Sequence, residues 1–263
     1  MLNLLTVVTT SEKRKRLLIL LHEGPLLWDE IKIRLNVSAS GMLPQIKILE
    51  EEGLIVKKDR KYSLTDIGRL IAYHLKTFDN TLKVIEQQKK YWQEHDCEAL
   101  PHDIFVRIGE IQNSRTLEKG LEESFEPHKQ LLEMIIQSKK VACISPIVHP
   151  IYPKFFRSLA KEGREVRLIL TKKAYSKIQN EYYDMLLEGL QYEKASLSIC
   201  DTDIRFAFIV TDIHFSMSLF MKSGVFDSTR EIVSNDSSAI RLGEDLFSHY
   251  LKKSYPVNKE GAL

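Results

Sequence analysis

The stretch from Ser38 to Leu64 constrains the fold of this chain more than any other. It reads SASGMLPQIKILEEEGLIVKKDRKYSL. Met42, Ile46 and Leu49 recur at helical spacing and predict one apolar helix face. Gly53 ends that helix, and two strand-like runs around a basic turn follow it. A helix followed by a basic hairpin is typical of the second half of a winged helix-turn-helix, in which the helix enters the major groove of DNA.

The preceding residues supply the first half of such a domain. Ser11 is a good N-cap for a helix that ends near His22, before Gly24 and Pro25. The run LWDEIKIRL places Trp28, Ile31 and Leu35 on one side of a second helix. The order of helices, tight turn and hairpin therefore predicts a winged helix-turn-helix DNA-binding domain over residues 1–65.

Three groups of side chains are candidates for DNA contact. The third helix and its cap offer positions that could read bases. The start of the first helix and the tip of the hairpin carry basic residues. Phosphate contacts by such residues supply affinity and its salt dependence. The candidates are Ser38, Ser40, Leu43, Pro44, Gln45 and Lys47 on the third helix, Lys13, Arg14 and Arg16 on the first, and Lys57, Lys58, Arg60 and Lys61 on the wing. Double-stranded DNA is the expected partner.

Pro44 limits where the third helix begins. A proline inside a helix removes a hydrogen bond and costs roughly 3 kcal/mol, but the first turn tolerates it. The regular helix therefore starts close to Met42, or it starts at Ser38 and kinks at the proline.

Charge and composition agree with this domain and exclude some classes of protein. The net charge is +2, and its distribution is uneven: residues 1–78 carry 13 Lys and Arg against 9 Asp and Glu, and the remainder 25 against 27. A basic first part suits a DNA-binding module. The three scattered cysteines have no metal-ligand spacing and indicate a reducing compartment. The sequence has no apolar run long enough to span a bilayer. We therefore expect a cytoplasmic protein that does not bind membranes. No cofactor is predicted.

A long amphipathic pattern follows the hairpin. It predicts a linker and dimerisation helix from Asp66 to about Glu94, within a segment 66–98. Its apolar positions alternate steps of four and three, as in the seam of a two-helix coiled packing. The seam residues are Ile71, Leu75, Phe78, Leu82, Ile85 and Trp92. The seam pairs with its copy in a homodimer or packs on the following domain; we favour the homodimer, because it presents two wings to a palindromic site.

The remainder, residues 99–263, alternates strand and helix patterns and is predicted to be an α/β domain. The runs KKVACISPI, PKFFRSLAKE and EVRLILT form a βαβ unit with a parallel strand pair. RFAFIVTD and HFSMSLFM indicate a hairpin, Leu121–Ser138 and Asn180–Glu188 indicate helices, and Arg241–Lys253 a closing amphipathic helix.

Several segments together resemble one archaeal family. LPQIKILEEEGLI, YSLTDIGRLIA, LPHDIFVRIGEI, SKKVACISPIVHPIYPKFFRSLAKEGREVRLILT, FIVTD and RLGEDLFSHYLKKS are similar to the archaeal regulators that join a winged helix to a FilR-like methanogenesis-regulatory sensor domain. The resemblance implies a transcription regulator whose second domain senses a signal, and it makes Pro44 part of the family pattern.

The second domain also resembles phospholipase-D-like domains, and this raises an enzyme alternative. That chemistry uses the spacing HxKxxxxD, but His149 is followed by Pro150 and Ile151, and His214 by Phe215 and Ser216. The expected fold is thus an α+β winged helix-turn-helix domain, a long linker helix and an α/β domain that is phospholipase-D-like without the catalytic motif. A phosphodiesterase is disfavoured, and no catalytic or metal site is predicted.

A ligand pocket is the better hypothesis for the second domain, because ligands of α/β sheets sit at the carboxyl ends of strands. The residues at the predicted strand ends are Ser145, His149, Tyr152, Lys172, Lys173, Asp212 and His214. Their lysines and histidines would suit an anionic small-molecule effector. The chain is therefore expected to be a homodimeric transcription regulator modulated by an effector. The other class left open is an adaptor that uses its winged helix to bind the transcription machinery.

Overall fold

The structure is a computed structural model that describes residues 3–120 and 126–257. The chain divides into two compact units, Met1–Asn80 and Thr81–Leu263. Of the helix predicted over Leu121–Ser138, residues 121–125 lie outside the described residues and residues 126–128 are not helical. Helix α8 covers Lys129–Ile136.

The first unit is built from short helices and a small antiparallel sheet. Its elements are α1 (Leu4–Thr9), α2 (Glu12–Leu21), β1 (Leu26–Leu27), α3 (Trp28–Leu35), α4 (Ala39–Glu51), β2 (Ile55–Lys58), β3 (Lys61–Leu64) and the beginning of α5 (Asp66–Gln87). The sheet order is β1-β3-β2, with both pairs antiparallel. This is the winged helix-turn-helix predicted from the sequence, with α4 as its third helix and β2–β3 as its wing. Helix α1 was not predicted.

Local chemistry explains where these elements begin and end. The Ser11 and Ser38 hydroxyls cap α2 and α4 by accepting bonds from the amides of Arg14 and Gly41. Helix α4 thus begins at Ala39 and contains Pro44, so the alternative of a start near Met42 is wrong. Gly53 ends the helix as predicted, and its φ of +66° is the left-handed conformation that glycine adopts readily.

Helix α5 begins close against the turn after α4. The Thr65 hydroxyl accepts a hydrogen bond from the Gly68 amide at 3.0 Å and donates to the carbonyl oxygen of Gly53 at 2.7 Å. A Cβ on Gly68 would lie 1.9 Å from the carbonyl oxygen of Leu54. A glycine is therefore required at this contact, since any side chain would force the two backbones apart.

The helix predicted from Asp66 to Glu94 is interrupted. Helix α5 ends at Gln87, Gln88 has φ −133° and ψ 37°, and a separate helix α6 covers Lys89–Glu94. The Gln88 side chain is buried and donates to the Ser114 hydroxyl at 3.0 Å, a tertiary bond that helical periodicity does not reveal.

The interruption removes Trp92 from the predicted seam. Trp92 packs against the core of the second unit, and its indole Nε1 donates to the Val84 carbonyl at 3.1 Å. Ile71 and Leu75 pack against the core of the first unit. Of the predicted seam, Phe78, Leu82 and Ile85 are exposed. The continuous seam was thus a wrong prediction, because its residues serve two different cores.

The second unit is a mixed α/β domain that begins with the last residues of α5. Its further elements are α6, α7 (His102–Phe105), β4 (Arg115–Glu118), α8, β5 (Lys140–Ser145), α9 (Ile151–Lys161), β6 (Glu165–Thr171), α10 (Lys172–Glu181), α11 (Tyr183–Gln191), β7 (Ala195–Cys200), β8 (Phe206–Thr211), β9 (Phe215–Leu219), β10 (Arg230–Ser234), α12 (Ser237–Leu251) and β11 (Ser254–Pro256). Single turns of 3₁₀-helix lie at Cys97–Ala99 and Ile108–Glu110.

The sheet order is β11-β7-β6-β5-β8-β9-β10-β4. Strands β5, β6 and β7 are mutually parallel, and the other neighbours are antiparallel. The predicted βαβ unit is β5-α9-β6, and the predicted hairpin is β8–β9; both are confirmed. Strands β4, β10 and β11 were not predicted.

Helices cover both faces of this sheet. On one face, α12 buries Leu242, Leu246 and Phe247 against a core rich in phenylalanine from β8 and β9. On the other face, α8 and α9 pack on Cys143 and Ile209, and α10 and α11 pack on the β6–β7 side. Among the described residues, no helix is both long enough and apolar enough to cross a membrane.

Candidate nucleic-acid interface and ligand cavities

Helix α4 presents a solvent-facing surface opposite its buried stripe. Met42, Ile46 and Leu49 are buried in the core of the first unit. The predicted base-reading residues Ser38, Ser40, Leu43, Pro44 and Lys47 are all exposed. Because a helix of this kind fits the major groove, the exposed surface is of the right shape to meet base edges.

The wing carries its positive charge on an exposed tight turn. Lys57, Lys58, Arg60 and Lys61 are all exposed. Asp59 and Arg60 have φ of 50° and 65°, the pattern of a two-residue type I′ hairpin turn. The Lys57 ammonium lies 5.1 Å from the centroid of the Tyr62 ring. The turn therefore holds cationic side chains at the tip of the hairpin, where phosphate contacts are made in winged helices.

Arg14 is placed differently from the prediction. It is 8% exposed, and its guanidinium donates to the carbonyl of Val7 at 2.5 Å, to Gln45 Oε1 at 2.6 Å and to Thr10 Oγ1 at 3.2 Å. These bonds join α1, α2 and α4, so Arg14 is a structural residue and not a phosphate ligand. Gln45 is half-buried, and its carbonyl oxygen is engaged in the same contact.

Lys13 and Arg16 are exposed and also bond to backbone. Lys13 Nζ donates to the carbonyl of Gly41 at 3.3 Å, and Arg16 Nη2 to that of Leu35 at 3.2 Å. Both therefore lie beside the ends of the helices that flank the turn before α4. Charges in this position can reach phosphates on either side of a groove.

Two adjoining cavities lie beside the carboxyl end of β5 in the second unit. One, of about 80 Å³, is lined by polar groups that include Ser145, His149 and Tyr152. The other, of about 90 Å³, is lined mainly by apolar side chains of the parallel strands and of α9 and α11. Ser145 and Tyr152 line both cavities. The structure thus brings three of the predicted ligand residues together.

The other four predicted ligand residues lie elsewhere. Lys172 and Lys173 are exposed in the first turn of α10, outside both cavity linings, and Lys172 Nζ pairs with Asp201 at 2.9 Å. Asp212 Oδ1 accepts bonds from the amides of Lys139 and Lys140, at the amino end of β5.

The antiparallel direction of β8 is the reason for this separation. Val141 at the start of β5 pairs with Thr211 at the end of β8. Asp212 and His214 therefore lie at the edge of the sheet opposite His149. Burial raises the pKa of Asp212, but the amide hydrogen bonds outweigh it and the net shift is downward; burial lowers the pKa of His214. Assigning these two residues to the pocket was wrong.

Glu231 is a site residue that the sequence reading missed. It lies on β10, is 7% exposed and lines the polar cavity. Burial raises its pKa to about 7, against smaller opposing effects of the Ser216 hydroxyl and of Lys119. The signal was a glutamate inside the short run REIVS, which was not recognised as a strand.

A second missed group is a buried network after α6. The His95 ring nitrogens lie 2.7 Å from the Tyr91 carbonyl oxygen and 3.0 Å from Asp227 Oδ2. Arg230 Nε also donates to Asp227 Oδ2, at 2.8 Å, and its Nη1 pairs with Glu94 at 2.6 Å. Both His95 ring nitrogens therefore face oxygen acceptors, and Asp227 joins the histidine to Arg230 in one buried network.

Family models match both units. The N-terminal domain of methanogenesis regulatory protein FilR1 matches residues 2–83, and the middle domain of FilR1 matches residues 124–253. The chain belongs to the FilR1 family. FilR1 of Methanothrix harundinacea (strain 6Ac) is 23% identical over 261 residues, which cover 98% of this chain and 58% of FilR1. This chain thus spans little more than half the length of that relative.

Other similarities cover part of the chain or are more distant. The transcriptional regulator AdcR of Streptococcus pneumoniae is 31% identical over 113 residues, covering 40% of this chain and 77% of AdcR. The structure of TrmBL2, an archaeal chromatin protein with a novel mode of DNA binding, has a TM-score of 0.43 and 12% identity, covering 93% of this chain and 94% of TrmBL2. The phospholipase D family member Nuc of Salmonella typhimurium has a TM-score of 0.42 and 10% identity, covering 56% of this chain and 98% of Nuc.

Proposed function

We propose that this protein is a sequence-specific DNA-binding transcription regulator whose DNA affinity responds to a molecule bound in its second unit. The observation that carries the proposal is the exposed face of α4 beside the cationic turn Lys58–Lys61. In this arrangement α4 lies in the major groove and the wing contacts the neighbouring backbone. Membership of a family of regulatory proteins and similarity to AdcR support it.

Specificity and affinity come from different parts of this surface. The exposed part of α4 is small and partly apolar, with Leu43 45% exposed beside Pro44. Lys47 is the cationic side chain near the centre of this exposed part of α4, and its Nζ lies 3.8 Å from Glu51 Oε1. The wing cations therefore supply most of the phosphate attraction, and the α4 face selects among sequences.

Matched lysine pairs test the DNA-binding part. Lys57→Ala with Lys58→Ala is expected to weaken DNA binding and to lower the slope of log K against log salt by up to about two. The control is Lys172→Ala with Lys173→Ala, which removes the same charge from the second unit. If both double variants bind DNA with the wild-type salt slope, the wing does not contact phosphate. If the wild-type chain has no affinity for genomic fragments at low salt, the adaptor alternative is favoured.

Homodimer formation through α5 is the second part of the proposal. The exposed apolar residues of α5 include Ile67 at 62%, Leu70 at 61% and Phe78 at 60%, together with Leu82 and Ile85. They recur at helical spacings and differ from the predicted seam, because Ile71 and Leu75 are used by the core. A second copy of α5 would bury this stripe and place two α4 helices on a palindromic site.

Sedimentation of the full chain tests the dimer. The wild type is expected to sediment as a dimer at micromolar concentration, and Phe78→Glu as a monomer that binds DNA more weakly. Gln87→Glu is the control, since Gln87 is exposed on the same helix and its spacing of nine residues from Phe78 places it on the opposite side. A wild-type monomer that occupies DNA as one chain per site would contradict the dimer and leave the DNA-binding proposal standing.

A further inference from the structure

The carboxyl group of Glu231 lies on a sheet face where apolar side chains are the rule. Glu231 precedes Ile232, which pairs with Met217, so it lies beside Ser218 of β9. Ser218 in turn pairs with Ala207 of β8. Small and polar residues on three neighbouring strands thus replace the large apolar side chains that would fill the space under α9. The polar cavity of about 80 Å³ occupies that space.

This buried carboxyl has no ionic partner within the part of the chain that the structure describes. None of the ion pairs formed by residues 3–120 and 126–257 includes Glu231. Lys119, His128 and His149 line the same cavity. The Lys119 ammonium donates to the carbonyl of Glu126, and it lowers the Glu231 pKa by less than burial raises it. Asp227 also lines it, but its carboxylate is bonded to His95, Thr229 and Arg230. A buried carboxylate without a counter-ion is costly, and a bound cation removes the cost.

The second cavity supplies an apolar extension. It has a volume of about 90 Å³ and is lined by residues such as Phe156, Leu170, Leu186 and Leu197. Cys143, Ser145, Ile147 and Tyr152 form a wall shared by the two cavities. A carboxyl group on one side and a hydrocarbon surface on the other define an amphipathic binding site with one charged end.

We propose that the two cavities form one binding site for a small aliphatic amine. Its ammonium group would pair with the Glu231 carboxylate, and its hydrocarbon part would lie along the shared wall and in the apolar cavity. This replaces the anionic effector expected from the sequence. Of the four basic residues that suggested it, Lys172, Lys173 and His214 lie outside both cavities, and His149 alone lines one of them. The inference rests on the effector-sensing part of the proposed function and names the chemical class of the effector.

Calorimetric titration of the full chain with three six-carbon probes tests the charge preference. At about pH 8 n-hexylamine is a cation and Glu231 is ionised. We expect n-hexylamine to bind at least about tenfold more tightly than n-hexanol or hexanoate. Across n-butylamine to n-octylamine, affinity is expected to rise by up to about fourfold per methylene until the apolar cavity is filled. Hexanoate binding as tightly as hexylamine, or no binding of any amine at millimolar concentration, would overturn the proposal.

Two substitutions separate the two ends of the site. Glu231→Gln is expected to weaken n-hexylamine by at least about tenfold, because the amide keeps the shape and loses the charge. Glu118→Gln is the matched control, since Glu118 is exposed on the neighbouring strand β4 and pairs with Arg230 in the sheet. Equal weakening by both variants, or none by Glu231→Gln, would refute the role of Glu231.

Gly189→Leu tests the apolar end. Gly189 lines the apolar cavity, and a Cβ at this position meets no atom within 4 Å, so a side chain has room there. The variant is expected to bind n-butylamine as the wild type does and to lose the gain from longer chains. An unchanged dependence on chain length would show that the hydrocarbon part lies elsewhere.

Failure of this inference is distinguishable from failure of the proposed function. The titrations contain no DNA, and DNA binding is measured on the same samples by fluorescence anisotropy. Wild-type DNA affinity without amine binding removes the ligand class and leaves the regulator. Amine binding that changes DNA affinity in the wild type, but not in Glu231→Gln, supports both.

Discussion

Replacing Glu231 with glutamine should stabilise the second unit, and the gain should depend on pH. The pKa of Glu231 is about 7 in the fold against an ordinary value of 4.5, because the carboxyl is buried. At about 1.4 kcal/mol per pKa unit, this difference corresponds to about 3 kcal/mol of destabilisation once the carboxyl is ionised in the folded state. Glutamine has nearly the same shape and no charge, so it avoids this cost.

The direction of the pH dependence follows from proton binding. Between pH 4.5 and about 7 the folded state holds a proton at Glu231 that the unfolded chain has released. The free energy of unfolding of the wild type therefore falls as the pH rises through this interval and levels off above it. Glu231→Gln lacks this dependence. The two proteins should have equal stability below about pH 4.5 and differ by about 3 kcal/mol at pH 8.

Urea unfolding at several pH values measures this difference. The sequence has two tryptophans, Trp28 and Trp92, so a Trp28→Phe background leaves Trp92 as a fluorescence reporter of the second unit. Other titrating groups contribute equally to both proteins and cancel in the comparison. Glu118→Gln, at an exposed glutamate, should change stability by less than about 0.5 kcal/mol at every pH. A Glu231→Gln effect that is independent of pH would refute the reasoning.

Three further changes have expected outcomes. Arg14→Gln should destabilise the first unit by about 2–3 kcal/mol, because the buried Val7 carbonyl loses its donor. Urea unfolding followed by Trp28 fluorescence measures this loss. As the control, Arg16→Gln at an exposed site should lower stability by less than about 0.5 kcal/mol. Asp227→Asn should lower the free energy of unfolding by about 2 kcal/mol at neutral pH. Burial raises the Asp227 pKa, but the hydrogen bonds from Thr229 and Arg230 outweigh it and hold the pKa at about 2. The wild type therefore loses this stability as the pH falls from 3.8 to about 2, which acid unfolding measures. Gly68→Ala should lower the thermal midpoint markedly, because its Cβ would meet the Leu54 carbonyl at 1.9 Å.

The winged helix could be predicted from sequence because its determinants are local. Ser11 and Ser38 cap helices as expected, and Gly53 turns the chain where predicted. Each of these effects acts within a few residues, and apolar periodicity identifies the buried faces. The contact of Arg14 with Val7 was not predictable in this way, because it depends on the unpredicted helix α1.

The candidate site in the second unit depends on strand order, which periodicity does not give. Ser145, His149 and Tyr152 were identified correctly as one end of β5, since they follow the strand directly. Asp212 was assigned to the pocket because it follows a predicted strand, and the antiparallel pairing of β8 with β5 places it at the other end of β5. Glu231 arrives from β10, far along the chain, and a single glutamate in an apolar run carries no local indication of its partners.

The position of Glu231 supports the binding role proposed for this sheet face. A face selected only for stability would continue the large apolar residues seen at Ile209 and Val233, since a valine at position 231 would fill the space under α9 and avoid a cost of about 3 kcal/mol at neutral pH. Residues that lower stability in this way concentrate where a ligand must be bound. The same burial that makes the charged form of Glu231 costly makes an ammonium ligand stabilising, because pairing favours the charged form of the carboxyl. Amine binding should therefore raise the unfolding free energy of the wild type more at pH 8 than at pH 5, and the Glu231→Gln variant should show no such difference.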